Sequence, residues 1–147
     1  MPKITDIDAL EIIDSRGDPS IKTTVFLDNG IYASACVPSG ASKGKYEAYE
    51  LRDNDVSRYE GKGVQKAIFN IRTKIKHILK DREVSDQKKI DDLMINEDST
   101  ANKSNLGANA ILSVSLACCR TASLYEHKSL YEYITHLSKI SLGNTFP

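Results

Sequence analysis

The period of the apolar residues changes once along this chain, and that change limits the folds open to it. Up to about residue 37 apolar residues alternate with polar ones, as on a half-buried strand; from Val64 they recur every three or four positions, as on a helix. Ile4 to Ile13 holds Ile4, Ile7, Leu10, Ile12 and Ile13 among polar residues, and Asp14-Ser-Arg-Gly-Asp-Pro19 follows with turn chemistry. Ile21 to Leu27 is rich in β-branched and aromatic residues, Asp28-Asn-Gly30 is a strong hairpin signal, and Ile31 to Val37 alternates again. Three antiparallel strands in a meander are expected. Val64, Ile68, Ile71, Ile75, Ile78 and Leu79 then fall on one face of a first helix. Ser85 and Asp86 cap a second, which carries Ile90, Leu93 and Met94 and ends near Asn96. Gly107 to Tyr125 reads as the most apolar and central helix, with Ala108, Ile111, Leu112, Ser115 and Ala122, and Leu130 to Leu137 as a short fourth. Strands followed by about four helices make an α+β domain over residues 1–137, and residues 138–147, with Gly143, Asn144 and Pro147, read as a linker.

A chain of 147 residues can bury somewhat over about two thirds of the surface its unfolded form exposes, enough for one core. Its 20 basic residues balance its 20 acidic ones, which argues against a general nucleic-acid surface. The longest apolar-leaning stretch, Ala108 to Ala117, is broken by Asn109, Ser113 and Ser115 and is too short to insert in a membrane. Met-Pro-Lys-Ile-Thr-Asp at the N-terminus has no secretory pattern, so a cytoplasmic location is expected. Cys36, Cys118 and Cys119 fit neither a disulfide framework nor a zinc site and are expected to be buried small apolar residues. His77, His127 and His136 show no ligand spacing.

Chemistry concentrates where the third strand ends. Cys36-Val-Pro-Ser-Gly-Ala-Ser-Lys-Gly-Lys-Tyr-Glu47 is a small-residue loop in which Gly40 and Gly44 loosen the backbone and Ser39 and Ser42 offer hydroxyls beside free carbonyls. Such oxygens suit a hard cation such as Mg²⁺. The residues alone leave two readings open, an oxygen-rich flap and an ordinary surface connection, of which the second is the commoner. A nucleotide P-loop is excluded, because three residues instead of four separate Gly40 from Gly44 and Tyr46 stands where a hydroxyl should hold magnesium. Gly61-Lys-Gly63 before the first helix could meet an anion through its amides, but a helix-starting turn explains it. Glu47, Glu50, Asp53 and Asp55, interleaved with Arg52, read as loop salt bridges in the absence of a second ligand group. Asp14, Arg16 and Asp18 form a compact turn whose Arg fork could clamp a carboxylate across a subunit or domain boundary.

In their order and spacing, Asp14-Ser-Arg-Gly-Asp-Pro19, Pro38-Ser-Gly-Ala-Ser42, Glu47-Ala-Tyr-Glu-Leu-Arg-Asp53, Gly61-Lys-Gly-Val64, Ala101-Asn-Lys-Ser104 and Leu106-Gly-Ala-Asn-Ala-Ile-Leu-Ser-Val-Ser-Leu-Ala117 closely resemble the enolases, the phosphopyruvate hydratases of glycolysis. The resemblance runs from about Ile4 to Tyr131. It implies an N-terminal capping domain, normally followed by a larger α/β barrel, in a lyase that converts 2-phosphoglycerate to phosphoenolpyruvate and water. It further implies a homodimer and two Mg²⁺ ions that stabilise the charge of the enolate-like intermediate. Ser42 matches the family serine whose side chain and carbonyl reach the second Mg²⁺ when the loop closes, and Gly40 and Ala41 match residues that move with it. The base, a barrel lysine, and the acid, a glutamate, lie in the family beyond the length of this chain, so no catalytic residue is expected within it.

Two positions depart from the family pattern. Lys43 stands where a threonine is usual, adding charge to the flap, and Asp18 stands where the first turn usually has asparagine. The chain stops at Pro147, about where the family crosses into its barrel, so these 147 residues alone are expected to be inactive. The alternative is a freestanding enolase-cap binding module without catalysis. The cap of another member of the superfamily is a third reading, against which the Ser-Gly-Ala-Ser flap argues. Surface display occurs in the family but is not readable from these residues.

Overall fold

The computed structural model describes residues 1–40 and 44–139. Three strands, β1 (Ile4–Ile13), β2 (Pro19–Leu27) and β3 (Tyr32–Cys36), form an antiparallel meander in the order β1-β2-β3. The expected α+β domain is therefore present, a three-stranded sheet with the helices after it. Register runs from Ile13 opposite Pro19 through Ile7 opposite Val25, with an irregularity between Ile4 and Asp6. The Asp28-Asn-Gly turn works as its sequence implies. Gly30 sits at φ 84°, and the Leu27 amide donates to the Ile31 carbonyl at 2.9 Å.

Ile7, Ala9, Ile21, Thr23, Val25 and Ala35 point to one side of the sheet and are buried. The same alternation corrects the expectation for the cysteines. Cys36 pairs with Lys22 and points to the outer face with Tyr32, so it is exposed; the neighbours on either side of it, Ala35 and Val37, face the core. Cys118 is buried as expected, and Cys119 is half-buried.

After the long connection, α1 (Gln65–Asn70) continues through a π-helical segment (Ile71–Ile75) into α2 (Lys76–Leu79) with helical backbone angles at both joints. Val64, Ile68, Ile71, Ile75 and Leu79 are all buried on the predicted face. Lys80, at ψ 139°, stops the helix, and the chain then lies beside the start of β1, with the Ile4 amide on the Arg82 carbonyl at 2.9 Å. Asp86 caps α3 (Gln87–Asp98) by accepting from the Lys89 amide, and Ser99 in the left-handed region ends it two residues beyond the expected point. The central helix is α4 (Ala108–Tyr125). Its stripe of Ala110, Val114, Ala117, Cys118, Thr121 and Ala122 is fully buried, and its small residues let it lie close on β2 and β3. Thr23 of the sheet donates to Ser113 of α4 at 2.8 Å, so the buried hydroxyls of that interface satisfy one another. A capping box of Ser129 and Glu132 starts α5 (Leu130–Ser138), which buries Tyr133 against the body. Of the stretch read as a linker, Ser138 ends α5 and Lys139 caps it; residues 140–147 lie outside the described residues.

Asp98 organises the turn between α3 and α4. One carboxylate oxygen accepts from the amide and the hydroxyl of Thr100, the other from the Leu106 amide at 2.6 Å, while its own carbonyl accepts from Asn105 at 3.0 Å. Burial pushes its carboxyl up, but the Leu106 amide and the Thr100 donors outweigh burial and hold it below the usual carboxylate value. A depressed pKa stabilises the fold above the unfolded-state value of about 3.9 and ceases to do so as the pH falls through the folded-state value. Asp98→Ala is expected to cost about 2 kcal/mol or more in urea unfolding at neutral pH. Asp98→Asn is expected to flatten the acid limb of stability below about pH 4, measured by urea titrations at stepped pH.

Candidate functional site

Where β3 ends, the chain leaves the sheet in an arm held by hydrogen bonds to the first turn. The Ser20 hydroxyl donates to the Val37 carbonyl and the Val37 amide to the Ile21 carbonyl at 3.0 Å, so pairing with β2 continues past the strand. Ser39 donates from Oγ to Asp14 at 2.6 Å and accepts from Arg16 Nη2 at 2.6 Å. Asp14 also accepts from the amides of Arg16 and Asp18, at 2.8 and 2.9 Å. The Ser39 hydroxyl first, then the Asp18 amide, hold the Asp14 carboxyl well below the usual range, at about 2. The Arg16 guanidinium, which could clamp a carboxylate across a boundary, meets the Ser39 hydroxyl within the chain and lies 3.9 Å from Asp14. Asp18, the departure in this turn, is met by Lys62 at 2.8 Å.

The returning arm, residues 47–53, has no regular structure and is held along its backbone. Glu47 closes a turn by accepting from the Gly44 amide at 2.9 Å. Tyr49 donates to the Asn102 carbonyl at 2.7 Å and accepts from the Ala108 amide at 2.8 Å. The Asn109 side chain accepts from the Leu51 amide and donates to the Leu51 carbonyl, both at 3.0 Å, in the manner of a neighbouring strand. Arg52 reaches the carbonyls of Pro19 and Lys62 at 2.6 and 2.7 Å and the Glu50 carboxylate at 2.6 Å, which ties the arm to the first turn and to the start of α1.

Asp53 closes the arrangement by accepting from the Gln65 and Lys66 amides at the start of α1, at 2.9 and 2.8 Å. Glu11 takes the Val64 amide at 2.9 Å and Arg58 at 2.5 Å. Burial raises the Glu11 pKa, and the Val64 and Arg58 bonds more than reverse it. The amides of Gly61 and Lys62 are taken by the Arg58 and Tyr59 carbonyls at 3.0 and 2.9 Å, and those of Val64, Gln65 and Lys66 by the chain's own carboxylates. Gly63 is required by them: a methyl group there would stand 2.5 Å from Asp53 Oδ2. The acidic cluster is, as expected, built of structural pairs and caps.

Of the loop residues singled out in the sequence, Gly40 is exposed at the rim of a hollow of about 220 Å³ shared with Pro38, Glu47, Glu50, Asn109 and Leu112. Ala41 and Ser42, together with Lys43, lie outside the described residues. Among the described residues no group of three His, Cys, Asp or Glu side chains converges on a metal position, and His77, His127 and His136 are scattered and exposed. No helix among them is long and apolar enough to cross a membrane. Sequence reasoning missed Ser39, Asn109 and Gly107 as holders of the arms. Their only signal was membership of the short motifs at 38–42 and 106–117.

A family model described as "Enolase, N-terminal domain" matches residues 4–134.

Gly107 tests whether the returning arm depends on its seat. It adopts φ 96°, and a methyl group there would lie 2.6 Å from Leu51 Cβ and from the Asn109 side-chain oxygen. Gly107→Ala is expected to cost about 2 kcal/mol or more from backbone strain and displacement of Leu51. Thermal unfolding checks the loss, and amide exchange at Leu51 should accelerate more than exchange within the sheet.

Proposed function

Because the chain belongs to the enolase family, through an N-terminal domain that takes up residues 4–134, we propose that it works as the capping half of a cytoplasmic, homodimeric lyase that converts 2-phosphoglycerate to phosphoenolpyruvate and water. The catalytic base and acid come from an α/β barrel with which this domain associates, and the 147 residues alone do not turn substrate over. The part supplied here is the loop from Pro38 to Glu47, which covers the site and brings Ser42 to the second Mg²⁺.

The observation that carries this reading is the fixing of the two arms that flank the loop. Ser39 on one side and Tyr49, Leu51 and Asp53 on the other are fixed to the body by hydrogen bonds. Anchored arms with Gly40 and Gly44 between them suit a cover that swings on a rigid frame. The oxygen chemistry fits the ion as well. A serine hydroxyl and backbone carbonyls are neutral hard donors, suited to completing a Mg²⁺ shell whose remaining ligands come from elsewhere. Enolases use Mg²⁺, which when bound supplies positive charge against the negative charge that develops on the substrate. In this reading Ser42 orients its oxygens toward that position, Gly40 and Ala41 let the backbone move, and the closed loop excludes water. Lys43 adds a positive charge beside an anionic substrate.

Ser42→Ala in the enzyme that carries this domain is expected to lower turnover by about 10- to 100-fold and to raise the Mg²⁺ concentration required, with thermal unfolding unchanged. Steady-state rates against Mg²⁺ concentration provide the check. An unaltered Mg²⁺ requirement would remove Ser42 from the site.

A further inference from the structure

The two edges of the sheet are finished differently. β1 pairs at its start with residues 81–84, through Ile4 and the Lys3–Glu83 bridge, and ion pairs of Asp6 with Lys76 and of Asp8 with Arg72 tie it to the helix that begins at Gln65. β3 has no such cover. The Val37 amide donates to the Ile21 carbonyl and the Leu27 amide to the Ile31 carbonyl, so in this register Ala33 and Ala35 bond to β2 while Tyr32, Ser34 and Cys36 turn their backbone groups away from it. Among the described residues only the Ser34 carbonyl on that outer edge is taken, by Arg120 Nη1 of α4 at 3.1 Å.

Between this edge and the end of α4 lies a hollow of about 370 Å³, with apolar walls from Ala33, Leu124 and Leu130. Leu124 is 52% exposed. Lys128 at the same hollow is paired with Glu126 at 2.7 Å, whereas Arg120 is exposed and has no carboxylate partner among the described residues. The place therefore combines a row of free backbone groups, an apolar recess and one uncompensated positive charge.

A row of free backbone groups on a sheet edge suits one kind of ligand, another extended chain that adds to the sheet as a further strand. Side chains of such a strand alternate as those of β3 do, so the two opposite Ala33 and Ala35 point inward, about 7 Å apart. The first falls on the hollow and the second beside Arg120. The incoming backbone takes over the Ser34 carbonyl, and Arg120 has to release it. A neutral strand would leave the guanidinium covered and unpaired, which is costly. A carboxylate at the second position replaces the lost carbonyl with a stronger acceptor.

We propose that the free edge of β3 docks an extended segment of a partner protein that carries an apolar and an acidic residue two positions apart, and that Arg120 selects the acidic one. Neither the covering loop nor Mg²⁺ takes part in this site.

The test uses the 147-residue chain and a capped peptide, Thr-Asp-Thr-Val-Thr-Asp-Thr, whose pattern reads the same in both strand directions, with the peptide bearing Asn for each Asp as its control. In an NMR titration the acidic peptide is expected to shift the amides of Tyr32, Ser34 and Cys36, to slow their exchange with solvent, and to bind about tenfold or more tightly than the control. Arg120→Gln is expected to abolish that difference with the melting temperature unmoved, and Leu124→Asn to weaken both peptides. Absence of shifts at the three amides with millimolar peptide would overturn the proposal. Equal affinity of the two peptides for the unsubstituted chain, an acidic preference that survives Arg120→Gln, or affinities untouched by Leu124→Asn would overturn it as well. If the three amides are protected without peptide and sedimentation shows a dimer, the edge pairs with a second copy of the chain and the proposal likewise falls.

Discussion

The structure depends on the seating of an irregular strap, Tyr49 to Asp53, on the N-terminal end of α4. A backbone without regular structure carries donors and acceptors that must find partners, and here each partner belongs to a different part of the fold. Asn109 reproduces with a side chain the two bonds that a neighbouring strand would make to Leu51. Tyr49 exchanges bonds with the turn before α4, and Arg52 joins the strap to the carbonyls of Pro19 and Lys62. The start of α4, the start of α1 and the turn between β1 and β2 therefore meet on this one segment. Loss of the strap would leave all three with unsatisfied polar groups at once.

Charge is used locally, in keeping with a chain whose acidic and basic residues balance. Asp53 and Glu11 occupy amides at the start of α1, Asp98 holds the approach to α4, and Asp14 serves the first turn and Ser39 together. The carboxyl pKa values of Glu11, Asp14 and Asp98 are all shifted downward, the direction expected of carboxylates that accept several hydrogen bonds in their charged form. A general acid would need the opposite. Glu11, Asp14 and Asp98 therefore work as fasteners.

Periodicity made most of the fold legible. The buried face of the helix from Val64 to Leu79 was readable residue by residue, as were the hairpin at Gly30 and the Asp86 cap, because each is a local pattern. The π-helical turn inside that helix left no such mark, since the apolar spacing continues across it. Cys36 was misread because its residue type was weighed instead of its place in the β3 alternation, where Ala35 and Val37 already fill the inward positions. The candidate site was less legible for a different reason. Asn109 and Leu51 are 58 residues apart and Ser39 and Asp14 are 25 apart, and pairings of one side chain with a distant backbone or carboxylate follow no period. They were visible only as short words, Ser-Gly-Ala-Ser and Leu-Gly-Ala-Asn, whose physical meaning required the contacts.

The contacts also explain why a cover would be built on such stiff arms. Fixing one residue's backbone costs about 1–2 kcal/mol of conformational entropy, and a loop that closes on its substrate must draw that cost from binding. Ser39 and the Gly44–Glu47 turn are already held before anything binds. On the proposed reading, closure then does not have to fix the arms. On the same reading, stiffness at the arms and glycine beside them are two parts of one arrangement: the first limits where a closing loop could go, and the second would allow it to get there.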